Sequence, residues 1–441
     1  MTPVNGKSRR SQMFLQARRS DKNIFLDALN FFDGFQVWAT MPANMVDFVR
    51  DVGKPFFVDP MSYVFPLPTK QLLDKDGTKL KPAVLKLASN YSDLVASTIS
   101  KRSIKSEDII EQLDVLEELV AKSLQYQRTK FDTHEPNLFN SHYDKYDRLA
   151  GGGVTVPHET TATTPFTLIP PYFHFHSTED SWYTTTLRCA RLARKFLRSG
   201  ETACPVLLMD KSCLKQPSLN RIIKDFGGSD ADGFIIWING LKEEDATPAD
   251  IAALSTLISG LSLNGRPVYK LYGGFLSVLL SDSGLDGFST SVTSKTAYSV
   301  RSYGGYGKAA QPKFYIPRLH RNYPIEEAAQ IIRVYPFLKC SCFVCREAYA
   351  GNMDRFVSRM VIPGCVENHF LNVRKDEMDE AAGGSRDIFT RIDDTLSRLS
   401  SDVSDEIKHL RNWQSVFSTA TPGMPLVHRI PKAASSALTA M

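Results

Sequence analysis

No stretch of about 18 consecutive apolar residues occurs in this chain, so no segment has the length and hydropathy of a membrane-crossing helix. A strong charge of one sign is also missing. The formal net charge is +5 and the pI is ≈ 8.7, a balance that admits an anionic partner without requiring one. The N-terminus has no apolar core of a secretory leader. Lys7, Arg9, Arg10, Arg18 and Arg19 stand in a basic segment, 1–22, that reads as a solvated tail. Cysteines are scarce and odd in number: seven, three of them within the six residues 340–345. Neighbours that close cannot all pair with one another without strain. Without a leader, the expected compartment is the reducing cytoplasm, and metal binding is the expected use of the cluster.

What is present is ordinary globular material. The 441 residues are 42% hydrophobic and 23% charged, enough to bury a large core and the length of a barrel of roughly 250–400 residues with additions. From Ile24 to Leu285 short β-like runs alternate with helical patterns. Phe56–Val58 ends in Asp59. Residues Thr164–His176 are β-rich and end in His174-Phe-His176. Trp182–Leu197 reads as a helix stopped by Gly200. Pro205–Met209 ends in Asp210, Gly233–Ile238 in Asn239-Gly240, and Val268–Tyr272 in Gly273-Gly274, with helices expected over Leu219–Phe226 and Pro248–Leu263. A last short strand is expected over Leu285–Phe288. Strand, helix, strand at this spacing predicts parallel βαβ units, and strands apolar on both faces suit a buried parallel sheet. The expected fold is therefore α/β, a TIM-like (β/α)8 barrel over 23–335. Polar or glycine residues recur where these strands end, and the C-terminal ends of barrel strands carry active sites.

After the barrel the text changes. Cys340-Ser-Cys342-Phe-Val-Cys345 is followed, after 23 intervening residues, by His369. Three soft thiolates and one imidazole fill a tetrahedral shell and leave no open position, which predicts a structural Zn²⁺ rather than a catalytic one, in a subdomain over 336–380. Cys365 is an alternative fourth ligand. Apolar residues recur every three or four positions from Ile388 to Trp413, so 381–420 reads as one long helix over Arg386–Phe417, with a buried face that leaves monomer and homodimer both open. Beyond it, 421–441 reads as a disordered tail. The Gly-rich, aromatic segment Ser302–Gln311, with Lys295, Arg301 and Lys308 and with Arg318 and Arg321 beyond it, is the expected surface for phosphates and bases.

The Cys-x-Cys-x-x-Cys-x(23)-His pattern resembles the zinc site of the tRNA-guanine transglycosylase family. Further likenesses lie upstream. Ile235-Ile-Trp-Ile-Asn239-Gly240-Leu resembles the strand end that contacts the base there, Leu271-Tyr-Gly273-Gly274 a second such end, and Gly284-Leu-Asp286-Gly-Phe288 the segment of the nucleophilic aspartate. Val58-Asp59-Pro60 stands where the family has its first catalytic aspartate. The departures are Asp59-Pro-Met-Ser-Tyr63 and Phe288-Ser289-Thr290, which place Ser289 on the family's nucleophile and are similar to the DpdA-type branch that inserts 7-deazaguanine bases into DNA.

The resemblance implies an enzyme that exchanges guanine for a 7-deazaguanine, in DNA or else in tRNA, or a silent zinc-binding homologue that serves as a nucleic-acid-binding partner subunit. A helper ATPase or helicase would open duplex DNA. Breaking and remaking a glycosidic bond passes through an oxocarbenium-like state, which calls for two carboxylates. Asp59 and Asp286 are the expected pair, with Asp210 in reserve. Asp210 is also an expected acceptor for the guanine edge, beside Asn239. Gly240, Gly273 and Gly274 would let backbone approach the base. His174 and His176, two apart on a strand, would share one face, both toward the pocket or neither.

Overall fold

In the computed structural model the described residues are 10–130, 164–292, 299–300, 311–349, 352–383, 386–399 and 407–417. Among them, no helix is long and apolar enough to cross a membrane.

Seven short strands form one parallel sheet: β1 (Gln12–Gln16), β2 (Gly34–Trp38), β3 (Phe56–Asp59), β4 (Val206–Asp210), β5 (Phe234–Asn239), β6 (Val268–Lys270) and β7 (Gly287–Thr290). Their spatial order is β3-β2-β1-β7-β6-β5-β4, every pair parallel. Both faces must be apolar in such a sheet, and Phe14, Phe35, Phe56, Leu207, Ile235, Ile236, Val268 and Phe288 are all buried. Gly34 is required by close approach: a Cβ there would lie 2.3 Å from the Pro55 carbonyl and 2.7 Å from the Phe14 ring.

The edge strands β3 and β4 are not left bare. The segment 166–175 lies against both. The Phe166 amide donates to Phe56 of the β3 edge at 2.9 Å. Cys204 donates to Leu168 at 3.0 Å, Phe175 to Leu208 at 3.2 Å and Asp210 to Phe175 at 3.2 Å. The bridges to Ala203 and Met209 are parallel. Pro170 and Pro171 stand in the middle of this segment and have no N–H to donate, so it cannot hold a continuous ladder.

Helices Leu113–Thr129, Ser181–Ala193, Ser218–Gly227 and Pro248–Leu261 connect the strands and bury apolar faces in the same core. The last is fixed at its start by a capping box, in which Thr247 and Asp250 satisfy each other's backbone amides. Beyond the sheet, the antiparallel pair β8 (Lys313–Ile316) and β9 (Arg321–Pro324) leads into helices Ile325–Val334, Phe343–Tyr349, Met353–Met360 and Cys365–Ala382.

The expected single helix over Arg386–Phe417 is instead two, Arg386–Arg398 and Lys408–Phe417. The Phe389 and Phe417 rings stack at 5.7 Å. In one continuous helix those residues would stand roughly 40 Å apart at 1.5 Å per residue. The second helix turns back, and Ile388, Ile392, Leu410 and Trp413 are buried at home.

Candidate active site and metal centre

Asp59 closes β3 and is 1% exposed. Its Oδ1 accepts from the Tyr172 hydroxyl at 2.7 Å and from the Met61 amide at 2.9 Å, while among the described residues Oδ2 meets only the longer Gln36 Nε2 contact at 3.4 Å. Burial pushes its carboxyl up to about 6, against the lowering effect of these three donors. Met61, two residues on, has φ 54°, a left-handed conformation that costs a non-glycine residue energy. Tyr272, at the end of the β6 segment, has φ 58°. Rings of Tyr172, Tyr63, Trp237 and Tyr272 follow one another at 5.7, 5.0 and 4.9 Å between centroids.

Asp210 closes β4 and holds three donors. His174 Nε2 lies 2.8 Å from Oδ1, His176 Nδ1 2.5 Å from Oδ2, and Asn239 Nδ2 2.7 Å from Oδ1. Asn239 in turn accepts from the Val300 amide at 3.0 Å. Burial alone would raise the Asp210 carboxyl, but Asn239, His176 and His174 outweigh it and hold the group below its ordinary value. Burial lowers His174 despite the neighbouring carboxylate. Both expected histidines therefore face one carboxylate at a strand end, as their spacing allows.

Asp286 is not with them. It precedes β7, where Gly287 is in register with Gln12 at the start of β1 and with Tyr269. Its Oδ2 accepts from the Val268 amide at 3.0 Å, and its own amide donates to Val268. It pins the N-terminal starts of β6 and β7, at the opposite end of the sheet from Asp59, so the expected Asp59–Asp286 pair does not form. Ser289 lies inside β7 and is 2% exposed; its Oγ accepts from the Tyr272 amide at 3.2 Å.

The glycines divide. Gly240 is exposed with φ 75°, at the end of β5. The amide of Gly273 donates to the Ser289 carbonyl at 2.7 Å, and that of Gly274 to the Glu243 carboxylate. Neither is turned to a base. A Cβ on Gly273 would lie 2.7 Å from Phe288 Cβ, so packing requires that glycine.

Of the expected phosphate contacts, Lys295, Arg301 and Lys308 lie outside the described residues. Arg318 is paired with Asp394 at 2.8 Å, and Arg321 lies over the Tyr323 ring at 5.6 Å. Tyr172 and Gln36, which hold Asp59, were not among the expected site residues. A lone glutamine in the apolar run Phe35-Gln36-Val37, and a tyrosine two residues before His174 in an alternating stretch, were the signals for them.

Away from the sheet, Cys340, Cys342, Cys345 and His369 bring their ligand atoms within 4.8 Å of one another. His369 Nδ1 lies 3.3 Å from both Cys342 Sγ and Cys345 Sγ. Its Nε2 lies 2.7 Å from the Tyr315 carbonyl. A carbonyl only accepts, so Nε2 carries the proton and Nδ1 turns its lone pair to the thiolates, the arrangement a metal-bound histidine needs. Phe314 stacks on the ring at 4.2 Å. The backbone amides of Cys342 and Cys345 lie 3.4 and 3.5 Å from the preceding sulfurs. This donor set can bind a metal ion and is consistent with zinc. Cys365 begins the helix Cys365–Ala382 and stands outside the cluster.

No protein-family model matches this chain, and no curated protein matches it.

Proposed function

We propose that this chain exchanges guanine for a 7-deazaguanine in nucleic acid, with DNA as the polymer. The reading rests on one observation: a buried carboxyl, Asp59, with a raised pKa, at the same sheet end as a second, donor-rich carboxylate, Asp210. The segment 166–176 that joins β3 to β4 supports an eight-stave, TIM-like barrel, with both groups at its C-terminal mouth. The sulfur–imidazole cluster would hold a structural Zn²⁺ with a closed shell.

In this reading Asp59 Oδ2 bonds to C1′ as the bond to N9 of guanine breaks, and a proton passes to the departing base. The incoming 7-deazaguanine then gives up its N9 proton as its nitrogen displaces Asp59. The His174–His176–Asp210 group carries those protons and meets the polar edge of the base. Asp210 thus takes the place first expected of Asp286. The target base must leave its stack to arrive there, and a helper ATPase or helicase would open duplex DNA. The departures at Asp59-Pro-Met-Ser-Tyr63 and at Ser289 favour DNA over tRNA.

The full chain is incubated with radiolabelled guanine or 7-deazaguanine and either DNA or tRNA. Label in DNA supports the proposal, and label in tRNA alone moves the substrate. Ser289 on the family's nucleophile position favours a second reading, a silent nucleic-acid-binding subunit. Binding of DNA with no label in either polymer would select that reading.

A further inference from the structure

We propose that His174, His176 and Asp210 form a second metal site, an open one, for a divalent first-row transition ion such as Zn²⁺, Fe²⁺ or Mn²⁺. Their three ligand atoms lie within 4.8 Å of one another. His174 and His176 alternate along an extended segment, so their rings fall on one side, with centroids 4.5 Å apart. Asp210 reaches them from the adjacent parallel strand and gives each imidazole a separate oxygen. An ion entering here displaces the two hydrogens between nitrogen and carboxylate, and each neutral imidazole changes tautomer so that its single N–H moves to the nitrogen facing away from the ion.

The framework that holds the ligands is rigid. Asn239 fixes Asp210 at 2.7 Å and is itself fixed by the Val300 amide. The His176 amide donates to Asp180 Oδ2 at 3.0 Å. The His176 carbonyl accepts from Ser212 Oγ at 3.0 Å and from Cys213 Sγ at 3.3 Å. Yet the His176 side chain is 63% exposed. A side chain so exposed, on a backbone so thoroughly tied, suits a ligand facing an opening. Two imidazoles and one carboxylate, with no thiolate, select transition ions over Mg²⁺ or Ca²⁺. Three protein donors leave positions for water or for a nitrogen or oxygen of a bound molecule, unlike the closed sulfur-rich site.

This inference goes beyond base exchange and does not depend on it; the proton-carrying role given above to His174, His176 and Asp210 is that of the ion-free group, whose facing nitrogen and oxygen atoms a bound ion would occupy. The test is metal content of the full chain after exposure to excess Zn²⁺ and desalting, and a parallel titration with Co²⁺. About two ions per chain are expected. In the cobalt titration one equivalent should raise an intense thiolate charge-transfer band and the other only weak visible bands. His176→Asn, at an exposed side chain, and His174→Ala should each bind about one ion and keep the charge-transfer band, which reports that the chain is folded. One ion in the unaltered protein overturns the proposal, as do two ions that persist in both variants. Failure of base exchange changes none of these outcomes.

Discussion

Asp59 is a carboxyl group that water does not reach, and its protonation is therefore felt by the whole fold. Its folded value of about 6 lies above the 3.8 of an unperturbed side chain. The folded state thus binds the proton more tightly than the unfolded one. Below about pH 4 both states are protonated and Asp59 costs nothing. As pH rises through 6 the folded state must carry a buried charge, and stability falls by about 3 kcal/mol. Asp59→Asn should therefore stabilise the chain by about 1–3 kcal/mol at pH 8 and leave it unchanged at pH 4, as read from urea unfolding at the two pH values. The same substitution should abolish label incorporation, and in the unaltered protein the incorporation rate should fall as pH drops below 6. Equal stabilisation at both pH values would show that desolvation is not what raises this group. Asp286 behaves oppositely. Asp286→Ala should cost about 1 kcal/mol through the lost bond to Val268 and leave incorporation intact. Reading Leu285–Phe288 as the strand placed Asp286 inside it. The ladder in fact runs Gly287–Thr290, because the carboxylate folds back on the β6 start. Hydropathy alone cannot locate a four-residue strand to within two positions, and that shift takes Asp286 out of the strand and leaves it before the first ladder residue, at the end away from Asp59.

At the scale of elements, β3 to β6 were legible and the segment 166–176 only partly so. Its β-forming residues were visible, but Pro170-Pro171 breaks the ladder that would have made it an eighth regular strand. β1 and β2 were not read. β1 stands in the middle of the sheet yet lies within the segment 1–22 expected as a solvated tail, because Arg9, Arg10, Arg18 and Arg19 flank its short apolar core Met13-Phe14-Leu15. The spacing of three and four from Ile388 to Trp413 continued across a reversal, since both helices bury their apolar faces in one core. In the sequence the two helices are separated by Ser400, Ser401, Asp402, Ser404 and Asp405, residue types of low helix propensity that the apolar spacing does not register. The metal cluster was readable because chelation imposes spacing on sequence. It ties the segment 340–342 and the start of the helix Phe343–Tyr349 to the helix Cys365–Ala382, and through Nε2 of His369 to β8. Cys342→Ser should lose the ion of the sulfur-rich site and lower the melting temperature by about ten degrees or more, on the order of what linked metal-binding energies in such sites imply. Cys365→Ser should keep both. Metal analysis and calorimetry on the pair decide whether the fourth ligand is His369, and metal loss in Cys365→Ser would reverse the assignment.

The molecule as a whole carries a buried polar seam where the metal lobe meets the sheet. Lys270 Nζ and Glu243 Oε1 pair at 2.8 Å with 3% and 2% exposure. Nearby, Glu377 Oε1 meets Tyr315 at 2.9 Å and His320 at 2.8 Å, and Glu377 Oε2 meets Arg374 at 3.1 Å. The Arg374 guanidinium lies 5.7 Å from the ring of Phe275, 5.0 Å from Tyr315 and 5.3 Å from Phe370. None of these residues stood out in the sequence, where a charged side chain on an amphipathic helix is usually a solvated one. Arg374 lies on the helix that carries His369, and Phe275 follows the β6 segment, so this cation joins the metal lobe to the sheet. Removing one partner of such a buried group leaves the rest charged and unpaired, at a cost of about 3–5 kcal/mol. Arg374→Met keeps most of the volume and removes the charge. It should lower the unfolding free energy read from urea titration by that amount and separate two events that coincide in the unaltered chain, release of the metal and loss of the sheet's near-ultraviolet dichroism. Coincident transitions in the variant would show that the lobe and the sheet are coupled by apolar packing alone, with the ionic seam contributing nothing to their cooperativity.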